Sequence, residues 1–133
     1  MTAHPVPPSQ WTDPRQVRGL AGERAAIDHI GASGWVVEAH RFRVGRQEVD
    51  LVARRGQLVA FIEVKTRRGF AYGAPSEAVG WRKRQTIARV AAIWALRHGR
   101  WGDCYRFDVV EVLEEPGGRF ECRHIEDAWR PSQ

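Results

Sequence analysis

Two acidic residues have the spacing that brings them face to face across a β-hairpin. Residues 48–54 and 58–66 have the composition of strands, and Gly56-Gln57 between them fits a two-residue turn with glycine at its first central position. Counting back from this turn in steps of two places Asp50 directly opposite Glu63. The hairpin therefore predicts a pair of adjacent carboxylates.

A lysine joins this pair on the same face of the hairpin. Lys65 is two residues beyond Glu63, so alternation of side chains puts it on the acidic face, opposite Glu48. The acidic face comprises Glu48, Asp50, Val52, Phe61, Glu63 and Lys65, and the other face comprises Val49, Leu51, Ala53, Leu58, Ala60, Ile62 and Val64. We expect this second, apolar face to be an unbroken core face.

The chemistry that suits two opposed carboxylates is binding of a divalent cation. Like charges directly opposite each other destabilise a sheet, and carboxylate oxygens are the ligands that Mg²⁺ or Mn²⁺ prefers. Lys65 beside them could orient a water molecule or stabilise the charge that develops on a phosphorane. The alternative is that these are solvated charges in which Glu48 pairs with Lys65 or an arginine, and a register slip of one residue would reverse the faces.

The elements that must position these residues form an αβββαββ order. Asp13-Pro14 predicts the start of a helix over about 14–32, which Gly31 and Gly34 end. A strand over 35–44 precedes the hairpin, and Ser76 is expected to cap a second helix that Gly99 ends. Strands over 105–113 and 120–125 follow. The pattern predicts an α/β fold with a mixed sheet, as one domain over 13–130 after a disordered tail over 1–12.

Composition excludes several classes of protein. The longest apolar run, residues 90–96, is far shorter than the ~20 residues of a membrane span, and the N-terminus lacks the apolar core of a signal peptide. Cys104 and Cys122 form no CxxC pair, which favours reduced thiols in a cytoplasmic protein. The net charge of +5 suits a phosphate-rich partner, and among the 21 basic residues only Lys65 and Lys83 are lysines.

The basic excess is concentrated beside the acidic pair. Residues 41–68 hold eight basic residues and three acids, and residues 82–106 hold seven basic residues and one acid. Residues 107–133 have the opposite balance, with seven acids and three arginines. Phosphates would therefore be bound near the hairpin and the second helix.

Asp50 and the Glu63-Val64-Lys65 segment together resemble the PD-(D/E)XK nuclease superfamily. Further segments narrow this resemblance to the YraN (UPF0102) family of bacterial proteins, from about residue 17 to Trp129. They are Ala21-Gly22-Glu23-Arg24-Ala25, Glu48-Val49-Asp50-Leu51, Phe61-Ile62-Glu63-Val64-Lys65-Thr66-Arg67, Tyr72-Gly73, Lys83 and Arg106-Phe107-Asp108-Val109-Val110. The usual Gly-Glu-Ile-Asp reads Gln47-Glu48-Val49-Asp50 in this chain, which keeps the acidic positions.

The resemblance implies an endonuclease-like core and a set of roles. It implies a restriction-endonuclease-like αβββαβ arrangement, similar to that of archaeal Holliday-junction resolvases, with a mixed central sheet flanked by helices. It implies that Asp50, Glu63 and the carbonyl of Val64 bind the metal and that Lys65 assists catalysis. It also implies that Glu23, on the first helix, completes the acidic cluster, and the small Ala21-Gly22 pair before it would permit close helix–sheet approach. The alternative for Glu23 is an ordinary solvated acid.

Other residues are candidates for binding nucleic acid. Lys83 is one turn before Ile87 on the second helix, where it either contacts a phosphate near the site or snorkels to solvent. Gln85 is a weaker candidate on the same helix. Arginine and aromatic side chains of the loop after Lys65 could bind phosphates and stack on unpaired bases, or could be solvated. These loop candidates are Arg67, Arg68 and Tyr72.

Three hypotheses of function follow. The first is a Mg²⁺- or Mn²⁺-dependent endonuclease acting on structured or branched DNA. The second is a nucleic-acid-binding module that keeps the fold without catalysis. The third is a protein-interaction protein, and because a branched junction offers two symmetric cuts, analogy with resolvases also suggests a homodimer.

Overall fold

The computed structural model describes residues 14–68 and 79–131, and of residues 14–16 and 18 only the backbone. Its elements are α1 (Pro14–Gly31), β1 (Val36–Val44), β2 (Gln47–Arg55), β3 (Leu58–Arg68), α2 (Trp81–His98), β4 (Cys104–Glu114) and β5 (Phe120–Trp129). Within these residues the strands form one sheet in the order β1-β2-β3-β4-β5, with β3 and β4 parallel and the other neighbours antiparallel. The predicted element order and the mixed sheet of an α/β protein are confirmed.

The hairpin between β2 and β3 has the predicted turn and register. Gly56 has a φ of 64°, in the left-handed region that a two-residue turn requires and glycine adopts without strain. Arg55 pairs with Leu58, and the same register continues to the pair of Leu51 and Ile62. The turn therefore sets which side chains of the two strands oppose each other.

Both faces of the sheet carry a hydrophobic cluster, one beneath each helix. The cluster under α2 contains Val49, Val52, Val59, Phe61, Val79, Ile87, Val90, Ala91, Trp94, Val109 and Trp129. The cluster under α1 contains Ala26, Ile30, Trp35, Leu51, Ala53, Ala60, Ile62, Val110 and Val112. The acidic face of the hairpin is therefore a second core face, and only its end is charged.

Two expectations about element ends and one about a face are wrong. Helix α2 begins at Trp81 with Gly80 as its N-cap, so Ser76, which lies outside the described residues, does not cap it. Strand β5 continues to Trp129 instead of ending near Ile125. Val49 packs in the cluster under α2 and not with Leu51, although strict alternation would place these two side chains together.

Among the described residues, no helix is long and apolar enough to span a membrane.

Candidate metal and phosphate site

The site begins where β2 and β3 stop pairing. The paired residues end at Leu51 and Ile62, one step before the predicted pair of Asp50 and Glu63. The backbone N–H of Val64 then donates to Oδ2 of Asp50 at 2.8 Å. In a continuing β-ladder this amide would donate to a backbone carbonyl, but here it donates to the carboxylate of Asp50. The hydrogen bond fixes the orientation of the Asp50 side chain.

A backbone irregularity in β1 lies beside the same point. Arg41 has a φ of 58°, the left-handed region that non-glycine residues seldom adopt. In the β1–β2 register His40 pairs with Leu51 and Phe42 with Val49, so Arg41 and Asp50 occupy the interrupted position between them. This irregularity lies next to the pair of Phe42 and Val49, where the side chain of Val49 departs from strict alternation.

The acidic pair opens on a cavity on the α2 side of the sheet. This α2-side cavity has a volume of about 350 Å³ and is lined by Asp50, Glu63, Val64, Lys65, Val79, Gly80 and Lys83. Glu63 is almost fully buried, whereas Asp50 and Lys65 are half-buried. The Nζ atom of Lys83 lies 3.2 Å from Oε2 of Glu63, so the helix supplies a cation to the carboxylate pair.

Burial raises the pKa of both carboxyl groups. Burial, followed by the charge of Glu63, raises the pKa of Asp50 from 3.8 to about 7, against the opposing effect of the Val64 amide. Burial also raises the pKa of Glu63, although the charge and hydrogen bond of Lys83, and then hydrogen bonding with Asp50, oppose it. Partial burial would lower the pKa of Lys83, but the neighbouring carboxylates raise it above its ordinary value. The fold thus holds negative charge that it compensates incompletely.

A second cavity opens on the α1 side and shares Asp50 and Val64 with the first. This α1-side cavity has a volume of about 370 Å³ and is lined by Gly19, Glu23, Arg41, Glu48, Asp50, Val64 and Thr66. Glu23 is buried, and both of its oxygens accept from Arg41, with Nε of Arg41 at 3.1 Å. Glu48 instead pairs with Arg43 at 2.9 Å, which agrees with its interpretation as an ion-pair partner of an arginine.

The close approach of α1 to β3 depends on Gly22. A Cβ atom at this position would lie 2.1 Å from Oγ1 of Thr66, far inside van der Waals contact. Only glycine therefore lets the helix pack where Glu23 can reach the α1-side cavity. The close helix–sheet packing predicted for the small Ala21-Gly22 pair is confirmed at Gly22.

The donor set of the α2-side cavity fits a divalent cation. Oε1 of Glu63 is buried and has no hydrogen-bond partner among the described residues, so one oxygen of a buried carboxylate is left open. In the described part of the chain, no three His, Cys, Asp or Glu side chains are grouped closely enough to hold a metal ion. Asp50 and Glu63 would therefore need a backbone carbonyl and water to complete the coordination of Mg²⁺.

Three further predicted residues in the described part of the chain lie outside both cavities. As lined by the described residues, neither cavity includes Arg67, Arg68 or Gln85. Nε of Arg68 lies 3.7 Å from Glu114, and Gln85 donates to the carbonyl of Pro131 at 3.3 Å. Tyr72 lies outside the described residues.

Sequence reasoning missed the partner of Glu23. The sequence suggests Arg106 or Arg41 as the partner of Asp108, and in the structure Arg106 and His124 bond Asp108, whereas Arg41 bonds Glu23. The signal that identifies Arg41 is the β1–β2 register, because it places Arg41 at the level of Asp50. Strand pairing, more than residue type, reveals this contact.

Comparison with known proteins gives consistent matches over most of the chain. Residues 22–112 match the model of the Uncharacterised protein family UPF0102. A UPF0102 protein of Symbiobacterium thermophilum is 45% identical over 111 residues, covering 84% of this chain and 94% of that protein. One from Nocardia farcinica is 44% identical over 112 residues, covering 84% and 87%, and one from Clostridium botulinum strain 657 is 40% identical over 96 residues, covering 71% and 78%.

Proposed function

The chain belongs to the UPF0102 family, and we propose that it is a metal-dependent endonuclease of the PD-(D/E)XK type that hydrolyses phosphodiester bonds in structured or branched DNA. The observation that carries the proposal is the half-buried Asp50 beside the buried Glu63, at the point where β2 and β3 stop pairing. Their raised pKa values and the open oxygen of Glu63 are what a site awaiting a cation would have.

Each residue of the site has a proposed role. Asp50, Glu63 and the carbonyl of Val64 would hold Mg²⁺ or Mn²⁺, which when bound would polarise the scissile phosphate as a Lewis acid. The amide of Val64 keeps Asp50 in the orientation that binding requires. Glu23 would add negative charge from the α1 side, where Arg41 holds it.

Lys65 would act on the attacking water. It lines the same cavity as the carboxylates, where it can orient the water or accept its proton. The water gives up a proton to Lys65 or to solvent as its oxygen forms a bond to phosphorus, the phosphorus–oxygen bond to the leaving group breaks, and the leaving oxygen takes a proton from solvent. The proposed reaction is thus hydrolysis without a covalent intermediate.

The distribution of charge supports a nucleic-acid substrate. Basic residues predominate in residues 41–68 and 82–106, which contribute to the lining of the two cavities. A phosphodiester backbone would be attracted to these arginines and lysines and would bring the scissile phosphate to the acidic pair. The preference for branched DNA follows from the resemblance to Holliday-junction resolvases.

A cleavage screen tests the proposal. Purified protein is incubated with four-way junctions, flaps, nicked duplexes, single-stranded DNA and RNA, each with Mg²⁺, Mn²⁺ or EDTA. We expect metal-dependent cleavage of at least one branched DNA, and a loss of about 10³-fold or more in Asp50→Asn and Glu63→Gln, because each removes a proposed ligand charge.

The charge-matched control is Glu126→Gln, which removes an exposed carboxylate on β5 and should keep full activity. Binding of DNA without cleavage under every metal condition would contradict the proposal and favour a non-catalytic module. Cleavage that survives both site substitutions would place the active site elsewhere.

A further inference from the structure

We propose that Lys83 is the counter-ion of the carboxylate pair when no metal is bound. Its ammonium group forms an ion pair with Glu63 until a divalent cation displaces it, and it then binds a nucleic-acid phosphate. This inference rests on the proposed function and adds a coupling between metal binding and DNA binding. It assigns Lys83 two successive partners instead of one.

The two members of the ion pair are buried to very different extents. The side chain of Glu63 is 7% exposed, whereas that of Lys83 is 60% exposed although its Nζ lies 3.2 Å from Oε2 of Glu63. The lysine therefore extends from solvent into the cavity, and little of its stem is held by packing. Withdrawing such a side chain costs little, because its ammonium group regains water and its rotamers regain freedom.

The charge that Lys83 supplies does not satisfy the acids. Its ammonium group, with a single positive charge, contacts Oε2 of Glu63, while Oε1 of the same carboxylate has no hydrogen-bond partner among the described residues. A divalent cation would bring twice the charge and could bind Oε1 together with Asp50. A cation bound to Glu63 and the ammonium group of Lys83 on the same carboxylate would repel each other. Metal binding therefore favours a rotamer of Lys83 in which the ammonium group no longer contacts Glu63.

The structure also provides a place for a phosphate next to the displaced lysine. Lys83 is in the first turn of α2, whose N-cap is Gly80, a residue without a side chain to accept from the backbone N–H groups of that turn. The first turn carries no acidic residue, and Gly80 lines the α2-side cavity with Lys83. A phosphate there would meet both the helix N-terminus and the ammonium group.

The first experiment measures binding of Mn²⁺ alone by calorimetry to the full-length protein, at about pH 8.5 so that protons compete little with the metal. We expect Lys83→Met to bind Mn²⁺ between about threefold and tenfold more tightly than the wild type, since a half-exposed ion pair no longer competes. Lys83→Arg keeps the charge and should restore the wild-type affinity.

The matched control is Arg89→Met, which removes one positive charge from an exposed position on the same helix. Because Arg89 does not line the cavity as described, its loss should leave Mn²⁺ affinity within about twofold, the effect of one screened surface charge. Equal affinities of Lys83→Met and Arg89→Met would overturn the inference, as would weaker binding by Lys83→Met.

The second experiment measures binding of a DNA four-way junction over a range of salt concentrations, with and without Ca²⁺, under conditions in which gels show the junction uncut. With Ca²⁺, we expect Lys83→Met to lower the salt dependence by about one phosphate contact relative to wild type. Without a divalent cation, the DNA affinities of the two proteins should have equal salt dependence, because Lys83 is then paired with Glu63.

Equal slopes in both conditions would overturn the transfer of Lys83 to phosphate. These outcomes are separable from the proposed function, since a wild type that cleaves with metal while Lys83→Met behaves like Arg89→Met refutes the inference alone. Absence of both Mn²⁺ binding and cleavage in every protein would refute the proposed function and the inference together.

Discussion

Two buried carboxylates on neighbouring strands, Asp108 and Glu63, have pKa values shifted in opposite directions. Asp108 on β4 is fully buried and accepts from Arg106 at 2.8 and 2.9 Å and from the backbone N–H of Asp127 at 2.9 Å. Nε2 of His124 lies 2.7 Å from it. Burial would raise the pKa of Asp108, but these hydrogen bonds lower it below its usual value. Glu63 on β3 is buried to nearly the same extent, yet its pKa is raised.

The difference lies in compensation, since both groups are removed from water. Both oxygens of Asp108 have partners from β4 and β5, so its charge is part of the folded structure. Glu63 has a lysine on one oxygen and an open second oxygen among the described residues. A buried acid left in this condition destabilises the folded protein unless a ligand completes its coordination, and this supports the proposed metal site.

The largest expected effect is on the compensated acid. Asp108→Ala leaves the guanidinium of Arg106 and the amide of Asp127 without their buried acceptor. We expect it to lower the free energy of unfolding by about 3–5 kcal/mol, measured by urea denaturation. Glu126→Ala, which removes an exposed acid 3.5 Å from the same arginine, serves as control and should cost less than about 0.5 kcal/mol. Similar losses in both variants would erase the distinction between the two carboxylates.

The next effect has the opposite sign. Asp50→Asn removes a carboxylate whose pKa is raised to about 7, while its amide oxygen can still accept from Val64. In the absence of metal we expect the variant to be more stable than wild type by about 1–3 kcal/mol at about pH 8. The reason is that a tenfold difference in proton affinity between the folded and unfolded states corresponds to about 1.4 kcal/mol before solvent screening.

The pH dependence of this gain identifies its cause. A carboxylate with a raised pKa in the folded state contributes its stability below the unfolded pKa of about 3.8 and loses it as the pH rises to about 7. The difference between Asp50→Asn and wild type should therefore grow between about pH 4 and pH 7 and stay constant above. A pH-independent difference in denaturant midpoints would assign the effect to packing instead.

The hairpin was predictable from the sequence because local rules determine it. A two-residue turn at Gly56 sets the register, and alternation then brings Asp50 near Glu63. The contacts of Glu23 and Lys83 were not predictable in this way, since they depend on how each helix packs on the sheet.

Two failures have particular physical reasons. The change of face at Val49 accompanies a left-handed backbone at Arg41 on the next strand, and no pattern within β2 contains that information. The start of α2 was misplaced because Ser76 is a strong capping residue, whereas Gly80, the N-cap, has no side chain to signal its role.

A third prediction uses Mg²⁺ to compensate the charge of Asp50 and Glu63, as Arg106 compensates that of Asp108. Binding to the folded protein raises its stability by about 1.4 kcal/mol at ten times the dissociation constant, so the thermal midpoint should rise on adding Mg²⁺ at about pH 8. Near pH 5.5 the rise should be much smaller, because Asp50 is then protonated. Glu63→Gln should abolish the rise, whereas Glu126→Gln should keep it. An equal rise in wild type and Glu63→Gln would mean that the cation binds elsewhere.

The smallest effect is expected at the acid that the site does not need. Glu48 lines the α1-side cavity, but its carboxylate is bonded to the exposed Arg43 at 2.9 Å. Exposed pairs of this kind contribute between about 0 and 1 kcal/mol, so Glu48→Gln should change unfolding free energy by less than about 0.5 kcal/mol. It should also leave the Mg²⁺-dependent rise in thermal midpoint within error of wild type. Loss of that rise would add Glu48 to the proposed site acids Asp50, Glu63 and Glu23, although its carboxylate, like that of Glu23, is bonded to an arginine.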